Sequence, residues 1–311
     1  YQVTQLDQPS TRGGHLEFEF EGAIRKVRIT RAHLEEDVGK STHFERHSGV
    51  DFNRAGVPLL EIVSEPDLTS ADMAYAYLNA LKDALIHGGI SDCDMEKGMV
   101  RCDVNVSVRP VGATTLGAKI EIKNMNSFSG VRRALEYEIP RQIDVVSRGG
   151  RLVQSTRRWD DETGITEEMR TKEDAHDYRY FPDPDLMPFE PDEAWLAGVR
   201  SRVVELPLAR KQRFMRDYQL PAADAQAFVD DVPLGGYFED LAGKSPNPKG
   251  VANWVINNLR AKLAEANAVL AAEQASMGIE TDGSGGLGCG DLKFAPAGIP
   301  ELVALVDSGR I

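Results

Sequence analysis

Acidic side chains cluster in one short stretch, and a further glutamate lies inside an apolar run. Glu35, Glu36 and Asp37 follow a segment of alternating apolar and charged residues. Glu61 interrupts the mostly apolar run Val57–Val63. A glutamate between apolar neighbours is either the outward residue of a strand or a carboxylate held inside to bind a metal, because a buried glutamate must be paired or coordinated. This stretch alone leaves both interpretations open.

Two later segments, residues 101–109 and 119–123, alternate apolar residues with charged or amide residues and are predicted strands. Their polar faces carry Arg101, Asp103, Asn105, Lys119, Glu121 and Lys123. Mg²⁺ prefers a few carboxylates together with phosphate oxygens, and cationic side chains neutralise a transferring phosphoryl group. These residue types therefore suit a nucleotide site, although a solvated sheet face carries a similar mixture of charges.

The elements that must position these side chains follow from periodicity. Residues 15–30 alternate with a period of two and predict an antiparallel hairpin that turns at Gly22. Residues 70–87 predict a helix capped by Ser70, and a second helix is expected to start near Ser127 and to kink or end at Pro140. Residues 192–275 are expected to be almost wholly helical.

These elements predict an α+β domain followed by an all-α helical domain. We place the catalytic domain at residues 1–195 and the helical domain, which we expect to be truncated, at residues 196–311. A glycine-rich linker is expected over residues 281–290, and Pro300 is expected to open a last helix. Because the chain starts with Tyr1 inside a patterned segment, we expect that its natural N-terminus is missing.

The composition of the 311 residues limits the class of protein. With 41% hydrophobic and 27% charged residues the chain is typical of a globular protein, and its apolar runs are too short for a membrane helix. Three cysteines without a C-x-x-C pair favour a reducing cytoplasm. The net charge of −13 argues against a generic nucleic-acid or DNA binder, so any RNA contact must be local. One basic cluster, which is also compatible with a solvated helix face, comprises Arg200, Arg202, Arg210, Lys211, Arg213 and Arg216.

The segment Gly39–Thr42 matches only the end of a P-loop. The position five residues before Gly39 is Leu34 instead of glycine, so the backbone cannot wrap a phosphate there. A nucleotide site in this chain would have to use carboxylates and cations on an open sheet.

Several long motifs, read together, resemble the B-subunit family of aspartyl/glutamyl-tRNA amidotransferases. They are Ile29–His43, Val50–Asp67, Arg101–Asn105, Glu121–Ser127 and Asp177–Leu186. The resemblance is dense from Tyr1 to Pro191 and continues more weakly to Leu270. It implies a glutamine-synthetase-like antiparallel sheet with flanking helices.

The resemblance also implies an activity. Such a protein uses ATP and Mg²⁺ to phosphorylate the side-chain carboxylate of Glu or Asp on a misacylated tRNA. Ammonia, produced from glutamine by an amidase (A) subunit, then displaces phosphate, and a small C subunit completes the assembly. Whether Glu-tRNA or Asp-tRNA is the substrate does not follow from the sequence. A tRNA-docking and ammonia-tunnel scaffold without chemistry, and a free-standing ligase for a small amino acid, remain alternatives.

The resemblance assigns candidate roles to residues. Glu36 and Glu61, with Glu35 as an alternate, would hold Mg²⁺. The ATP and phosphoryl site would be lined by Arg101, Asp103, Asn105, Glu121 and Lys123. By residue type alone, the candidates for gripping phosphates or the tRNA end are Arg170, Lys172 and Arg179. The family carries a further N-terminal segment with a Glu and a His expected to complete the metal site, and a C-terminal tRNA-binding tail; neither is seen in this sequence.

Overall fold

The computed structural model describes residues 3–95, 97–171, 185–277, 286–291 and 298–311. The chain divides into two compact units, Tyr1–Val203 and Val204–Ile311. The first unit mixes strands and helices and the second is helical, so the predicted α+β class is confirmed. Among the described residues, no helix is both long and apolar enough to cross a membrane.

The described strands of the first unit form three sheets. Their bounds are β1 (Thr11–Phe20), β2 (Ala23–Glu36), β3 (Lys40–His43), β4 (Ser48–Asp51), β5 (Pro58–Ser64), β6 (Val104–Val106), β7 (Ile120–Lys123), β8 (Ser155–Asp160) and β9 (Ile165–Thr171). The sheet orders are β1-β2-β5, β3-β4 and β6-β7-β8-β9. The pairs are antiparallel except for β7 and β8, which run parallel.

The predicted hairpin is confirmed as β1 and β2. Leu16 pairs with Val27 across the turn at Gly22, which has a φ of 72° that glycine adopts without strain. The alternation places Leu16, Phe18 and Val27 in a core with residues of the following helix. That packing fixes which face of β2 points inward, because slipping the register by one residue would expose every apolar side chain.

Helices α1 (Ala71–His87) and α2 (Phe128–Ser147) pack against each other in this unit. The predicted cap Ser70 and the predicted helix start near Ser127 are confirmed. The hydroxyls of Ser70 and Ser127 accept hydrogen bonds from the backbone N–H groups of Met73 and Gly130. Of the two outcomes expected at Pro140, a kink or an end of the helix, the structure excludes the end. The α2 helix continues past Pro140 because buried residues on both sides of it, from Val131 to Gln142, keep the helix packed.

The candidate carboxylates and cations are divided between two sheets and do not lie on one open sheet. Glu35, Glu36 and Glu61 belong to the sheet β1-β2-β5, whereas Glu121 and Lys123 belong to β6-β7-β8-β9. Strand periodicity alone does not tell which strands pair, since pairing depends on contacts between distant segments.

A buried carboxylate joins α2 to the sheet β6-β7-β8-β9. Glu138 is fully buried and accepts hydrogen bonds from Arg141 Nη2 at 2.6 Å, Thr166 Oγ1 at 2.7 Å and Gln142 Nε2 at 3.0 Å. Burial raises the pKa of Glu138, but the hydrogen bonds outweigh it, so the net pKa is lowered from its usual 4.5. The network therefore holds the carboxylate charged.

We expect Glu138→Gln to lower the free energy of unfolding by ~3 kcal/mol at neutral pH, because the partly buried guanidinium of Arg141 loses its counter-charge. The lowered folded pKa means that the carboxylate stabilises the fold above the ordinary pKa, and that this contribution disappears as the pH falls through the folded pKa. Urea unfolding of both proteins at neutral and acidic pH measures this. The difference between them should shrink in acid, and an unchanged difference would contradict the assignment.

The second unit consists of helices around an aromatic core. After β9 the first described helix is α3 (Glu193–Arg200), which belongs to the first unit. The described helices of the second unit are α4 (Pro207–Asp217), α5 (Ala222–Asp230), α6 (Val232–Ala242), α7 (Pro248–Trp254), α8 (Arg260–Ser276) and α9 (Gly298–Asp307). A π-helical turn over Val255–Leu259 joins α7 to α8. Phe214, Phe228 and Phe238 are fully buried, with the rings of Phe228 and Phe238 stacked at 4.3 Å.

We expect Phe238→Ala to destabilise this unit by ~3–5 kcal/mol, because the mutation leaves a cavity at the centre of the core. Val269→Ala on α8 is the control, since Val269 is exposed and its truncation should change stability little. Thermal unfolding of the two variants compares them. Equal unfolding midpoints would show that the aromatic cluster does not hold the unit together.

The basic cluster of the helical region is largely neutralised. Arg213 pairs with Glu205 at 2.7 Å and with Glu239 at 2.6 Å, and Arg210 donates to Glu239 at 2.7 Å. Charges paired in this way are less available to RNA phosphates. The geometry favours the interpretation as a paired helix surface.

Candidate metal and phosphate site

Two carboxylates and an imidazole converge at the end of β2. His33 lies directly opposite Glu61 in the β2–β5 register, and Glu35 follows two residues later on the same strand face. His33 Nε2 lies 3.1 Å from Glu35 Oε1 and 3.1 Å from Glu61 Oε2. One ligand atom from each residue lies within 4.8 Å of the other two. The strand pairing therefore builds a possible metal-binding group from two distant segments of the chain.

His33 is fully buried, and its Nδ1 has no hydrogen-bond partner among the described residues. A buried imidazole whose other nitrogen faces two carboxylates can donate a proton to them or offer a lone pair to a cation. Either role leaves Nδ1 unsatisfied, which carries a cost in a buried place. The nitrogen of His33 that is placed to interact is therefore Nε2, which meets the two glutamates.

Glu36 lies apart from this group. Strand alternation turns it to the opposite face from Glu35, and its Oε1 accepts a hydrogen bond from the backbone N–H of Val3 at 3.1 Å. Glu35 Oε1 also accepts from the Thr4 hydroxyl at 2.9 Å. The structure therefore brings Glu35 and Glu61 together, with His33 as the third member, and does not bring Glu36 to them.

The second group lies on the polar face of β6, β7 and β8. Lys123 Nζ contacts Asp103 Oδ2 at 2.6 Å and Glu121 Oε1 at 3.2 Å. Glu121 Oε2 accepts from the buried Thr156 hydroxyl at 3.0 Å, and Asn105 lies opposite Glu121 in the register. The structure thus brings together four of the five predicted phosphoryl-site residues.

The charge of Lys123 is set by its neighbours. Partial burial lowers the pKa of its ammonium, but hydrogen bonds and charge attraction from Asp103 and Glu121 outweigh that effect, and the net pKa is raised. Lys123 therefore stays a cation on this face. The fixed ammonium can neutralise part of the negative charge of a bound phosphate.

The fifth residue, Arg101, connects the two groups. Its Nη2 contacts Asp37 Oδ2, one residue beyond β2, and Arg54 Nε lies 2.9 Å from the same oxygen. Arg101 precedes Asp103 by two residues on the segment that enters β6. A single buried carboxylate, that of Asp37, therefore links the end of β2 to the segment that enters β6.

The three phosphate-gripping candidates stay largely predictions. The backbone of Arg170 pairs with Thr156 near the end of β9. Lys172 and Arg179 lie outside the described residues.

A cavity of about 330 Å³ opens at the carboxyl ends of β7 and β8, and it contains none of the predicted site residues. Its lining residues are Asn124, Asn126, Arg158, Trp159, Asp160, Asp161 and Glu162. The Asn124 side-chain nitrogen donates to the Trp159 carbonyl at 3.1 Å, and Asn124 has a left-handed φ of 68°.

Comparison with known proteins identifies the family. Residues 1–197 match the model of the GatB/GatE catalytic domain, and this range contains every candidate site residue. The chain belongs to the GatB/GatE catalytic-domain family. Two relatives, both named as the B subunit of an aspartyl/glutamyl-tRNA(Asn/Gln) amidotransferase, support this. The Opitutus terrae protein is 47% identical over 321 residues, covering 100% of this chain and 62% of the relative. The Carboxydothermus hydrogenoformans protein is 50% identical over 264 residues, covering 83% of this chain and 55% of the relative.

The resemblance to the B-subunit family is thereby confirmed. This GatB/GatE-family chain spans less than two thirds of the length of these relatives. The residues to which sequence reasoning gave no role are His33, Asp37 and Arg54, which lie in the family motifs, and Thr156, which lies outside them. His33 could have been found if the predicted hairpin had been extended beyond residue 30, because residues two apart on a strand share a face. Thr156 could not, because its position depends on the parallel pairing of β7 with β8.

Proposed function

We propose that this chain activates a tRNA-borne carboxylate with ATP, as part of a glutamine-dependent amidotransferase. The γ-phosphoryl group of ATP would pass to the side-chain carboxylate of Glu-tRNA(Gln) or Asp-tRNA(Asn), releasing ADP and giving an acyl phosphate. Ammonia would attack the acyl carbon, with loss of phosphate and a proton. The observation that carries the proposal is the convergence of His33, Glu35 and Glu61 in a family named for a catalytic domain.

The donor set suits a divalent cation. Two carboxylates provide the hard oxygen ligands that Mg²⁺ takes when its other positions are filled by phosphates and water. His33 Nε2, which faces the two carboxylates, adds a nitrogen ligand that also suits Mn²⁺. When bound by His33, Glu35 and Glu61, the cation would supply neutralisation of phosphate charge.

Cationic side chains outside the metal group would bind the phosphates of the nucleotide. Lys123, held between Asp103 and Glu121, would offset the charge that spreads over the transferring phosphoryl group. Glu121 is in turn oriented by the Thr156 hydroxyl, so the face is ordered before substrate arrives. Arg170, Lys172 and Arg179 stay candidates for the phosphates or the tRNA end.

The partners follow from the relatives' name, which describes a B subunit of an enzyme acting on tRNA. We propose an amidase A subunit as the source of ammonia, a small C subunit, and a misacylated tRNA as substrate. A glutamine-synthetase-like fold for the catalytic sheet and a cytoplasmic location belong to the same proposal.

ATP turnover by the complete protein, assembled with its partner subunits, tests the proposal. We expect ADP to form only when tRNA charged with Glu or Asp is present. ADP formation with free glutamate or aspartate alone would favour a free-standing ligase. Absence of ADP formation with charged tRNA, while the partner's glutaminase is active, would favour the scaffold alternative.

A further inference from the structure

We infer that Arg54 and Arg101 form a pair of guanidinium groups that grips the phosphate oxygens of the nucleotide, with Asp37 as the positioning residue that holds both. This inference rests on the proposed function and extends it to residues outside the metal group. The ligand chemistry is a phosphate oxyanion, and we assign it to ATP.

Asp37 has the properties of an anchor. It is 5% exposed, and its Oδ2 meets both Arg54 and Arg101. Its Oδ1 accepts from the backbone N–H of Val38 at 3.0 Å. Its own backbone is also fixed, because its N–H donates to the Val57 carbonyl at 2.8 Å and its carbonyl accepts from Gly56 at 2.9 Å. The carboxylate therefore cannot move away from the arginines without breaking several hydrogen bonds.

The two arginines, in contrast, are open to solvent. The side chains of Arg54 and Arg101 are 44% and 58% exposed. Each guanidinium carries five N–H donors. Within the part of the chain that the structure describes, the side-chain partner of both groups is Asp37. Most of their donors are thus available to a ligand.

The charges of this group are unbalanced. Two guanidinium groups share one carboxylate oxygen, which leaves one positive charge in excess and places like charges close together. A simple cross-link between loops needs only one arginine, and the second adds repulsion. A phosphate bound between them would remove that repulsion and form charge-assisted hydrogen bonds in a geometry that arginine favours.

The chain makes room for Arg54 at Gly98. A Cβ on Gly98 would lie 2.6 Å from Arg54 Nη1, and Gly98 has a φ of 68° that side chains rarely adopt. Any other residue at this position would push the guanidinium aside. The sequence therefore accommodates Arg54 in this place as well as supplying its anchor.

The arginine pair lies close in sequence to both groups of candidate site residues. Asp37 follows Glu35 by two residues, which corresponds to about 7 Å along an extended chain. Arg101 precedes Asp103 by two residues on the other side. Along the chain, the paired arginines therefore adjoin the metal group on one side, through Asp37, and the Lys123 face on the other, through Arg101.

The test compares KM for ATP and kcat among variants of the complete protein in its assembled form. Arg54→Gln and Arg101→Gln should each raise KM for ATP about tenfold or more with little change in kcat or in unfolding midpoint. Arg54→Lys, which keeps the charge, should raise it less. Arg46→Gln in the β3–β4 turn is the control, because Arg46 is exposed and lies outside the group.

Asp37→Asn should also raise KM for ATP, and adding Arg101→Gln to it should have a smaller effect than in the wild type, because the arginine has already lost its anchor. Additive effects on KM would overturn the positioning role.

An unchanged KM for ATP in Arg54→Gln, with wild-type ATP binding intact, would overturn the pair while leaving the proposed function in place. A raised KM for charged tRNA in place of ATP would overturn the nucleotide assignment. Absence of ATP binding in the wild type would instead contradict the proposed function itself.

Discussion

Glu61→Gln in the complete protein is expected to lower amide formation on charged tRNA by about 10²–10³-fold. The substitution removes a charge and one of two carboxylates from the group around His33, while nearly preserving the size of the side chain. Glutamine hydrolysis by the partner subunit should continue, because the change lies in this chain. Amide formation and glutaminase activity, measured side by side, separate the two steps.

Glu17→Gln is the matched control for this prediction. Glu17 lies on β1 of the same sheet, is exposed, and is not part of the metal group. It should leave amide formation near the wild-type rate. If Glu61→Gln behaved like Glu17→Gln, Glu61 would not be a metal ligand.

Lys123→Met is expected to lower kcat/KM for ATP by about 10²-fold, since it removes a fixed cation from the proposed phosphoryl site. The hydrocarbon stem is retained, but Asp103 and Glu121 lose the ammonium between them and repel both each other and the nucleotide. Lys123→Arg should recover part of the loss. Initial rates at varied ATP concentration give the measurement.

Lys26→Met provides the comparison, because Lys26 is an exposed lysine of β2. It should change kcat/KM for ATP little. A Lys123→Met protein with normal kcat/KM for ATP would show that the polar face of β6 and β7 is a solvated surface, which is the interpretation that the sequence left open.

Local patterns predicted much of the fold. The hairpin, the capped start of α1, the start of α2 near Ser127 and the mostly helical segment after residue 192 depend on neighbours in sequence, and each is confirmed. The short strands β6 and β7, which alternate apolar and polar residues, were also predicted, although their observed bounds are narrower than the predicted ones. Pro140 is the exception, since tertiary packing outweighed a local helix-breaking signal.

The candidate site was harder to predict because it depends on pairing. The resemblance named Glu36 before Glu35, but the strand alternation that turns Glu35 toward His33 turns Glu36 away. The parallel pairing of β7 with β8, which brings Thr156 to Glu121, joins segments 35 residues apart. The contact of Arg101 with Asp37 spans 64 residues, and no periodic pattern signals it.

The most direct test of the central claim is a calorimetric titration of this chain with ATP, with and without Mg²⁺ and in the presence of the partner subunits. Binding that requires Mg²⁺, and that is lost in Glu61→Gln, is the predicted result. ATP binding that is absent, or that is the same without Mg²⁺ and in Glu61→Gln, would contradict the claim that His33, Glu35 and Glu61 form the cation site of a nucleotide-binding sheet.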